Sequence, residues 1–304
     1  MSLPPGIETQ IEAIAQDRLS GARKLAEEGS QVLLSLAEGS GAANLEEFEG
    51  EVKAVGQTLL SAQPSMAPLV NLANEALFSL EGATDLEEAR ERVKAVAFEY
   101  ARALERSGAR IARQALTLIG EGPILTHSFS STVLEALLLA KREGRNLKVV
   151  CAESRPQFEG RALAERLIEE GVSVQLVVDA LAPATMRGVE AALVGADALS
   201  SEGLVNKVGT YALALAAKAQ KIPFYALCGR EKFLPTGYEL PGERPREPQE
   251  VWPHRPQGVE VLNLYFDLTP LHYLAGVVTE ERVLSPSKVL ARLKRLRLHP
   301  SLKG

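Results

Sequence analysis

Sulfur is scarce in this chain, and its scarcity rules out the disulfide-built folds. Cys151 and Cys228 are the only cysteines in 304 residues, which provides no disulfide framework and fits a reducing, cytoplasmic setting. Four histidines lie scattered, without the short spacings that collect a metal ion. Positive charge is not in excess either. The formal net charge is −5 and the pI about 5.6, which argues against a protein whose main partner is nucleic acid or an anionic membrane. No stretch approaches ~18 uninterrupted apolar residues, and the opening MSLPPGIETQ has neither the charged start nor the apolar core of a signal peptide. A membrane-spanning protein, or one exported by that route, is therefore not expected. Internal repeats and low-complexity tracts are missing as well. What is present is an ordinary globular composition, 46% hydrophobic and 24% charged. The length allows two domains, or one large α/β unit with an appendage.

From Ile7 to about Leu118 the apolar residues keep helical spacing and no strand pattern stands out. Ile7, Ile11 and Ile14 form one stripe, and Leu25, Val32, Leu33 and Leu36 another, up to a break at Gly39 to Gly41. Asn44 followed by Glu47 predicts an N-cap for a helix reaching about Leu60. Pro64 and Pro68 precede a short helix through Leu77, and a long helix runs from about Leu86 to Leu118. The texture changes at Gly120-Glu121-Gly122-Pro123. Beyond it, short apolar runs at Ile124–Thr126, Lys148–Ala152, Val174–Val178, Ala191–Val194 and Ile222–Leu227 alternate with helical segments at about 131–143, 160–170, 182–188 and 206–220. Such alternation predicts a parallel sheet covered on both faces, with its ligand site outside the carboxyl ends of the strands. The expected fold is α/β: a helical domain over 1–119, then a Rossmann-like domain over 120–304. A Pro-, Glu- and Arg-rich loop is expected from Pro235 to Pro256, and a last strand or extended pair from Val259 to Phe266.

The stretch Val189 to Thr210 is the most informative. An apolar strand, Ala191 to Val194, emerges at Gly195 and Asp197. A polar turn from Ser200 to Gly203 then leads to Asn206, Lys207, Gly209 and Thr210, just before an alanine-rich helix. A carboxylate, an amide, an ammonium and a helix N-terminus in one loop suit a small phosphorylated metabolite. The same sheet edge is expected to collect Thr126 to Ser128, Glu153 to Arg155, Asp179 and Cys228. The run Ser128-Phe129-Ser130-Ser131-Thr132 offers hydroxyls and free N–H groups at a helix start, either as an anion cradle or as an N-cap. Arg155, before Pro156, is expected to be extended and to face the cleft. His127 reads as a packed, hydrogen-bonded histidine, and Cys151 as core. Cys228 reads as a buried filler, with a place facing the cleft as the alternative.

The segments ILTHSFSSTVLEAL, ESRPQFEGRALAERL and VGADALSSEGLVNKVGTYALALAAKAQKIPFYAL, with YFDLTP and VVTEE, resemble the initiation factor 2B-related family over about residues 110–285. That family holds the regulatory subunits of eukaryotic translation initiation factor 2B, methylthioribose-1-phosphate isomerase and ribose-1,5-bisphosphate isomerase. The resemblance implies a helical N-terminal domain, a Rossmann-like C-terminal domain and a homodimer formed through the latter. Its isomerases turn a 1-phosphorylated aldose into a ketose without cofactor or metal, using a cysteine and an aspartate. The aspartate matches Asp197, and the asparagine and lysine lining the sugar site match Asn206 and Lys207.

Three positions depart from the isomerase pattern. The cysteine position is Ser128, and an alcohol scarcely exchanges a proton near neutrality, whereas a thiol of ordinary pKa ~8.5 can. The Arg-Gly and Arg-Pro pairs that grip phosphate in the isomerases correspond here to Ser20-Gly21 and Gln63-Pro64. Asp197 and Ser128 are thus the candidate catalytic pair, and Arg155, Asn206, Lys207, Ser130 and Gly21 the candidate substrate contacts. The family's translation subunits also lack the cysteine, so the resemblance favours a translation initiation factor 2B subunit-like protein that binds a phosphosugar, such as a ribose phosphate, or a nucleoside monophosphate, one phosphate rather than two, over an efficient isomerase. The competing expectation is an aldose-ketose isomerase in which Ser128 or Cys228 replaces the missing cysteine. The basic segment from Ser287 to Lys303 reads as a solvated helix face, and nucleic-acid binding is not expected.

Overall fold

A computed structural model describes Leu3, Gly6 to Asp17 and Ser20 to Lys303. The chain forms two compact units. The first takes the described residues up to Arg106, together with Glu231–Pro241 and the chain from Arg292 onward; the second takes Ser107–Arg230 and Gly242–Ala291. The border therefore falls ahead of the composition change at Gly120, and two later stretches join the helical unit.

That unit is built from α1 (Ile7–Gln16), α2 (Ala22–Gly39), α3 (Leu45–Ala62), α4 (Ala67–Leu80) and the first part of α5 (Leu86–Ala115). Helical spacing of apolar residues accounts for the packing: Ile7, Ile11 and Ile14 of α1 and Leu25, Val32, Leu33 and Leu36 of α2 are all buried. The expected cap is present, since Asn44 Oδ1 accepts the Glu47 N–H at 3.0 Å while Glu47 Oε2 accepts the Ala43 N–H at 2.8 Å. Two buried asparagines on α4 bring in the distant segments. Asn71 Nδ2 donates to the carbonyls of Glu231 and Phe233, and Asn74 donates to the Arg297 carbonyl and accepts the His299 N–H.

The second unit holds β1 (Ile124–His127), α6 (Ser131–Arg142), β2 (Lys148–Ala152), α7 (Glu159–Glu169), β3 (Ser173–Val177), α8 (Ala182–Thr185) and β4 (Ala191–Val194). It continues with β5 (Ala198–Leu199), β6 (Leu204–Lys207), α9 (Thr210–Gln220), β7 (Phe224–Leu227), β8 (Phe266–Thr269), β9 (Gly276–Val278), β10 (Val283–Leu284) and the start of α10 (Pro286–Leu293). Seven strands form one sheet in the order β10-β9-β7-β4-β1-β2-β3, parallel except for β10. Fully buried β1 and β4 lie at its centre, as parallel strands with both faces covered must. From β1 the chain steps through α6 to β2 and through α7 to β3, whereas from β4 it steps the other way through α9 to β7. Right-handed crossovers then put α6 and α7 on one face and α9 on the other. The direction of winding reverses between β1 and β4, so the crevice for a ligand lies where those two strands end.

Two expectations are corrected. Leu204–Lys207 does not begin a helix. It is the middle strand of a small antiparallel sheet, β5-β6-β8, in which Asn206 lies opposite Asp267. The strand expected over Val259 to Phe266 lies at Phe266–Thr269 instead, it is followed by β9 and β10 rather than being the last, and Val259 to Tyr265 forms no strand. A Pro-rich approach with a buried Asn263 amide tied to Glu247 and Glu250 replaces ladder pairing there. Among the described residues, no helix is long and apolar enough to cross a membrane.

Candidate functional site

His127 of β1 is in register with Ala152 of β2 on one side and Val194 of β4 on the other. Ser128 therefore leaves the sheet flanked by the Glu153–Arg155 turn and by Gly195–Asp197. Its backbone has φ 64, a left-handed conformation that costs a non-glycine residue energy and persists only when its surroundings enforce it. The enforcement is visible. The Ser128 N–H donates to Ser154 Oγ at 2.7 Å, while among the described residues no hydrogen-bond partner exists for the Ser128 hydroxyl.

Ser154, fully buried and itself at φ 64, anchors this turn. Its N–H donates to Asp179 Oδ1 and the Arg155 N–H to Asp179 Oδ2, both at 2.7 Å. Ser154 Oγ lies 3.1 Å from His127 Nδ1, and His127 Nε2 lies 2.8 Å from the Val208 carbonyl. A carbonyl only accepts, so Nε2 carries the proton and Nδ1 accepts from Ser154. Burial pushes the His127 pKa down and keeps the ring neutral; the Val208 hydrogen bond and the Asp179 charge act against it. His127 is thus a packed, hydrogen-bonded residue, as its sequence context suggests.

On the far side of Ser128, Ser130 caps α6, its Oγ accepting the Val133 N–H at 3.3 Å. The first-turn N–H groups beyond it point out of the helix. Gly195 makes room for this cap: a Cβ there would stand 2.7 Å from Ser130 Oγ and 3.8 Å from Asn206 Oδ1. Ser130, Gly195 and Asn206 therefore meet at one point. Asp197 is half-buried, and its N–H donates to the Val205 carbonyl at 2.9 Å, starting the β5-β6 hairpin.

The β6–α9 segment carries positive features, and each is already matched by a carboxylate. Lys207, with 3% of its side chain accessible, pairs with Glu159 Oε1 at 2.6 Å and stands 4.9 Å from the Tyr265 ring centre. The N-terminus of α9 receives Asp267, whose carboxylate accepts the N–H groups of Gly209 at 2.7 Å and of Tyr211 at 3.2 Å. Burial raises the Asp267 pKa to about 6, partly offset by those N–H bonds. This corrects the expectation that the α9 N-terminus is open to a ligand anion. Asn206 is buried and donates to Thr210 Oγ1 at 2.9 Å.

Arg155 departs from its expected pose. The Arg155–Pro156 bond is cis, and the exposed guanidinium donates to the Val251 carbonyl at 2.9 Å beside the Phe158 ring. Both cysteines are buried, Cys151 and Cys228 each being 1% accessible, and burial pushes Cys151 up to about 12. Gly21 belongs to the first unit, where it precedes α2. Gln63, in the same unit, spends its amide N–H groups on the carbonyls of Ile14 and Asp17. Sequence alone missed Glu159, Tyr265 and the roles of Ser154 and Asp267. Glu159 stands within ESRPQFEG, but its partner is 48 residues away.

The sequence and the fold of this chain have counterparts among known proteins. The model of the initiation factor 2 subunit family matches residues 18–286. The chain belongs to that family. Among relatives, it is 34% identical over 291 residues to a translation initiation factor eIF-2B subunit 2-like protein of Pyrococcus horikoshii, covering 94% of this chain and 99% of the other. It is also 31% identical over 286 residues to a ribose 1,5-bisphosphate isomerase of Methanocaldococcus jannaschii, covering 92% of each. Among solved structures, the crystal structure of the Pyrococcus horikoshii translation initiation factor eIF-2B superposes with a TM-score of 0.80 at 32% identity, over 93% of this chain and 98% of that one. This initiation factor 2 subunit family chain therefore has both factor-like and isomerase relatives.

Proposed function

We propose that this chain binds a pentose phosphate or nucleoside monophosphate in the crevice between β1 and β4 and is not an efficient isomerase. Ser128 carries the reading. It stands at the end of β1 with an unpartnered hydroxyl and a strained backbone, at the position that corresponds by resemblance to the isomerases' cysteine. A hydroxyl there can hydrogen-bond a ligand but is a poor proton carrier at neutral pH. Loss of a general acid–base group costs roughly 10²–10⁴ in rate. The phosphate is assigned to the N-terminus of α6, beside Ser130, where first-turn N–H groups favour an anion. Ribose hydroxyls are assigned to Asp197, Asn206 and Lys207. Arg155, in the same unit as the crevice, remains a candidate contact. One phosphate is preferred over two, because of the helix starts on this sheet edge the N-terminus of α9 is already filled by Asp267. The protein is further inferred to be a cytoplasmic homodimer.

Isomerase relatives such as the Methanocaldococcus jannaschii enzyme keep a second reading in play, turnover of ribose 1,5-bisphosphate with Asp197 as the remaining acid–base group. Binding is tested by thermal shift with ribose 5-phosphate and AMP. A ligand at 100 times its Kd adds about 2.7 kcal/mol of stability. A salt-sensitive rise in Tm that disappears on Lys207→Ala is expected; no shift with either compound refutes the binding reading.

A further inference from the structure

Lys207 would be the natural anchor for a phosphate were it not already neutralised. Its side chain is 3% accessible and its ammonium lies 2.6 Å from Glu159 Oε1, so the segment presents a neutral pair rather than a cation. Glu159 Oε2 is also buried and, among the described residues, accepts no hydrogen bond. A buried carboxylate oxygen with unspent acceptor capacity calls for a donor. Lys207 keeps N–H donors beyond the one given to Glu159. One acceptor next to one donor, with no net charge, is complementary to a sugar hydroxyl, which both gives and takes a proton. It is not complementary to a phosphate, which at neutral pH only accepts and would meet the Glu159 carboxylate. Asp267 at the start of α9 extends the pattern, because the second positive feature on this side is likewise filled.

From this geometry we propose that Glu159 is a specificity-determining residue: it and Lys207 together bind a hydroxyl of the ligand's sugar and exclude a second phosphate from that end of the crevice. The assignment rests on the ligand reading above and adds to it a residue and a polarity, with phosphate toward α6 and hydroxyls toward Lys207–Glu159.

Glu159→Gln and Glu159→Gln/Lys207→Gln are compared with the wild type by calorimetric titration of ribose 5-phosphate and ribose 1,5-bisphosphate. Removal of the carboxylate frees the Lys207 charge, so Glu159→Gln should gain affinity for the bisphosphate by about tenfold or more, the worth of one charge-assisted bond. That gain should fall with salt and vanish in the double variant. A folded Glu159→Gln with no gain, or a gain that survives loss of Lys207, overturns the proposal. Should Glu159→Gln not fold, the wild type decides the matter with the 2-deoxy and 3-deoxy analogues of ribose 5-phosphate. Loss of about tenfold in affinity for at least one is expected; equal binding of all three overturns the hydroxyl role. A wild type that binds no ribose phosphate refutes the ligand reading and with it the hydroxyl role of Glu159; its exclusion of a phosphate is then decided separately, by whether Glu159→Gln binds the bisphosphate, and is overturned if it does not.

Discussion

Ser154, fully buried, organises the candidate site through its hydrogen bonds to neighbouring residues. Its hydroxyl serves both the Ser128 N–H and His127 Nδ1, and removing it leaves a part-buried N–H and a buried ring nitrogen without that partner. Each such group costs roughly 1–3 kcal/mol, so Ser154→Ala should lower unfolding stability by about 2 kcal/mol or more by urea titration and should loosen ligand binding at Ser128. Asp267 supplies the pH dependence. Its carboxyl binds protons more tightly folded, at about 6, than its ordinary value of 3.8. The folded state therefore holds the extra proton between these values, and the group's contribution to stability is greatest below them and declines as pH rises through about 6. Asp267→Asn should flatten the stability profile between those pH values while still accepting the Gly209 N–H; an unchanged profile would contradict the assignment. At this scale the sequence was only partly legible. Ser128, Asp197, Asn206 and Lys207 stood out by motif, whereas Glu159 did not, because ion pairing across 48 residues is invisible to local pattern.

Elements with strong periodicity were readable, and those whose pairing is set by distant partners were not. The strands Lys148–Ala152 and Ala191–Val194 coincide with their apolar runs, since a central parallel strand must be apolar on both faces. The Asn44 cap was equally plain, and Asn44→Ala should cost about 1 kcal/mol in unfolding stability. By contrast, β6 ends in Asn206 and Lys207, which resemble a helix start; only pairing with Ala198–Leu199 and Phe266–Thr269 makes it a strand. The close approach of β4 to α6 gives an element-scale test. Gly195→Ala places a methyl 2.7 Å from Ser130 Oγ, so it should displace the α6 cap, lower Tm and weaken binding of ribose 5-phosphate. Unchanged affinity would move the phosphate away from Ser130.

The whole molecule is a helical unit and a doubly wound unit on one chain, and the sequence shows both textures on either side of Gly120. The return of Glu231–Pro241 and of the chain from Arg292 to the helical unit was not legible. It is held in part by Asn71 and Asn74, whose amides bond backbone groups of the returning segments, and backbone recognition leaves no mark in the partner's residue types. Factor-like and isomerase structures share this architecture, so the separation of a binding protein from an enzyme rests on the roles proposed for Ser128 and Asp197. The most direct measurement is single-turnover and steady-state assay of ribose 1,5-bisphosphate and methylthioribose 1-phosphate with the wild type, Ser128→Cys and Asp197→Asn. A wild type without turnover above background, together with activity acquired by Ser128→Cys, is the predicted result. Robust wild-type turnover abolished by Asp197→Asn would contradict it.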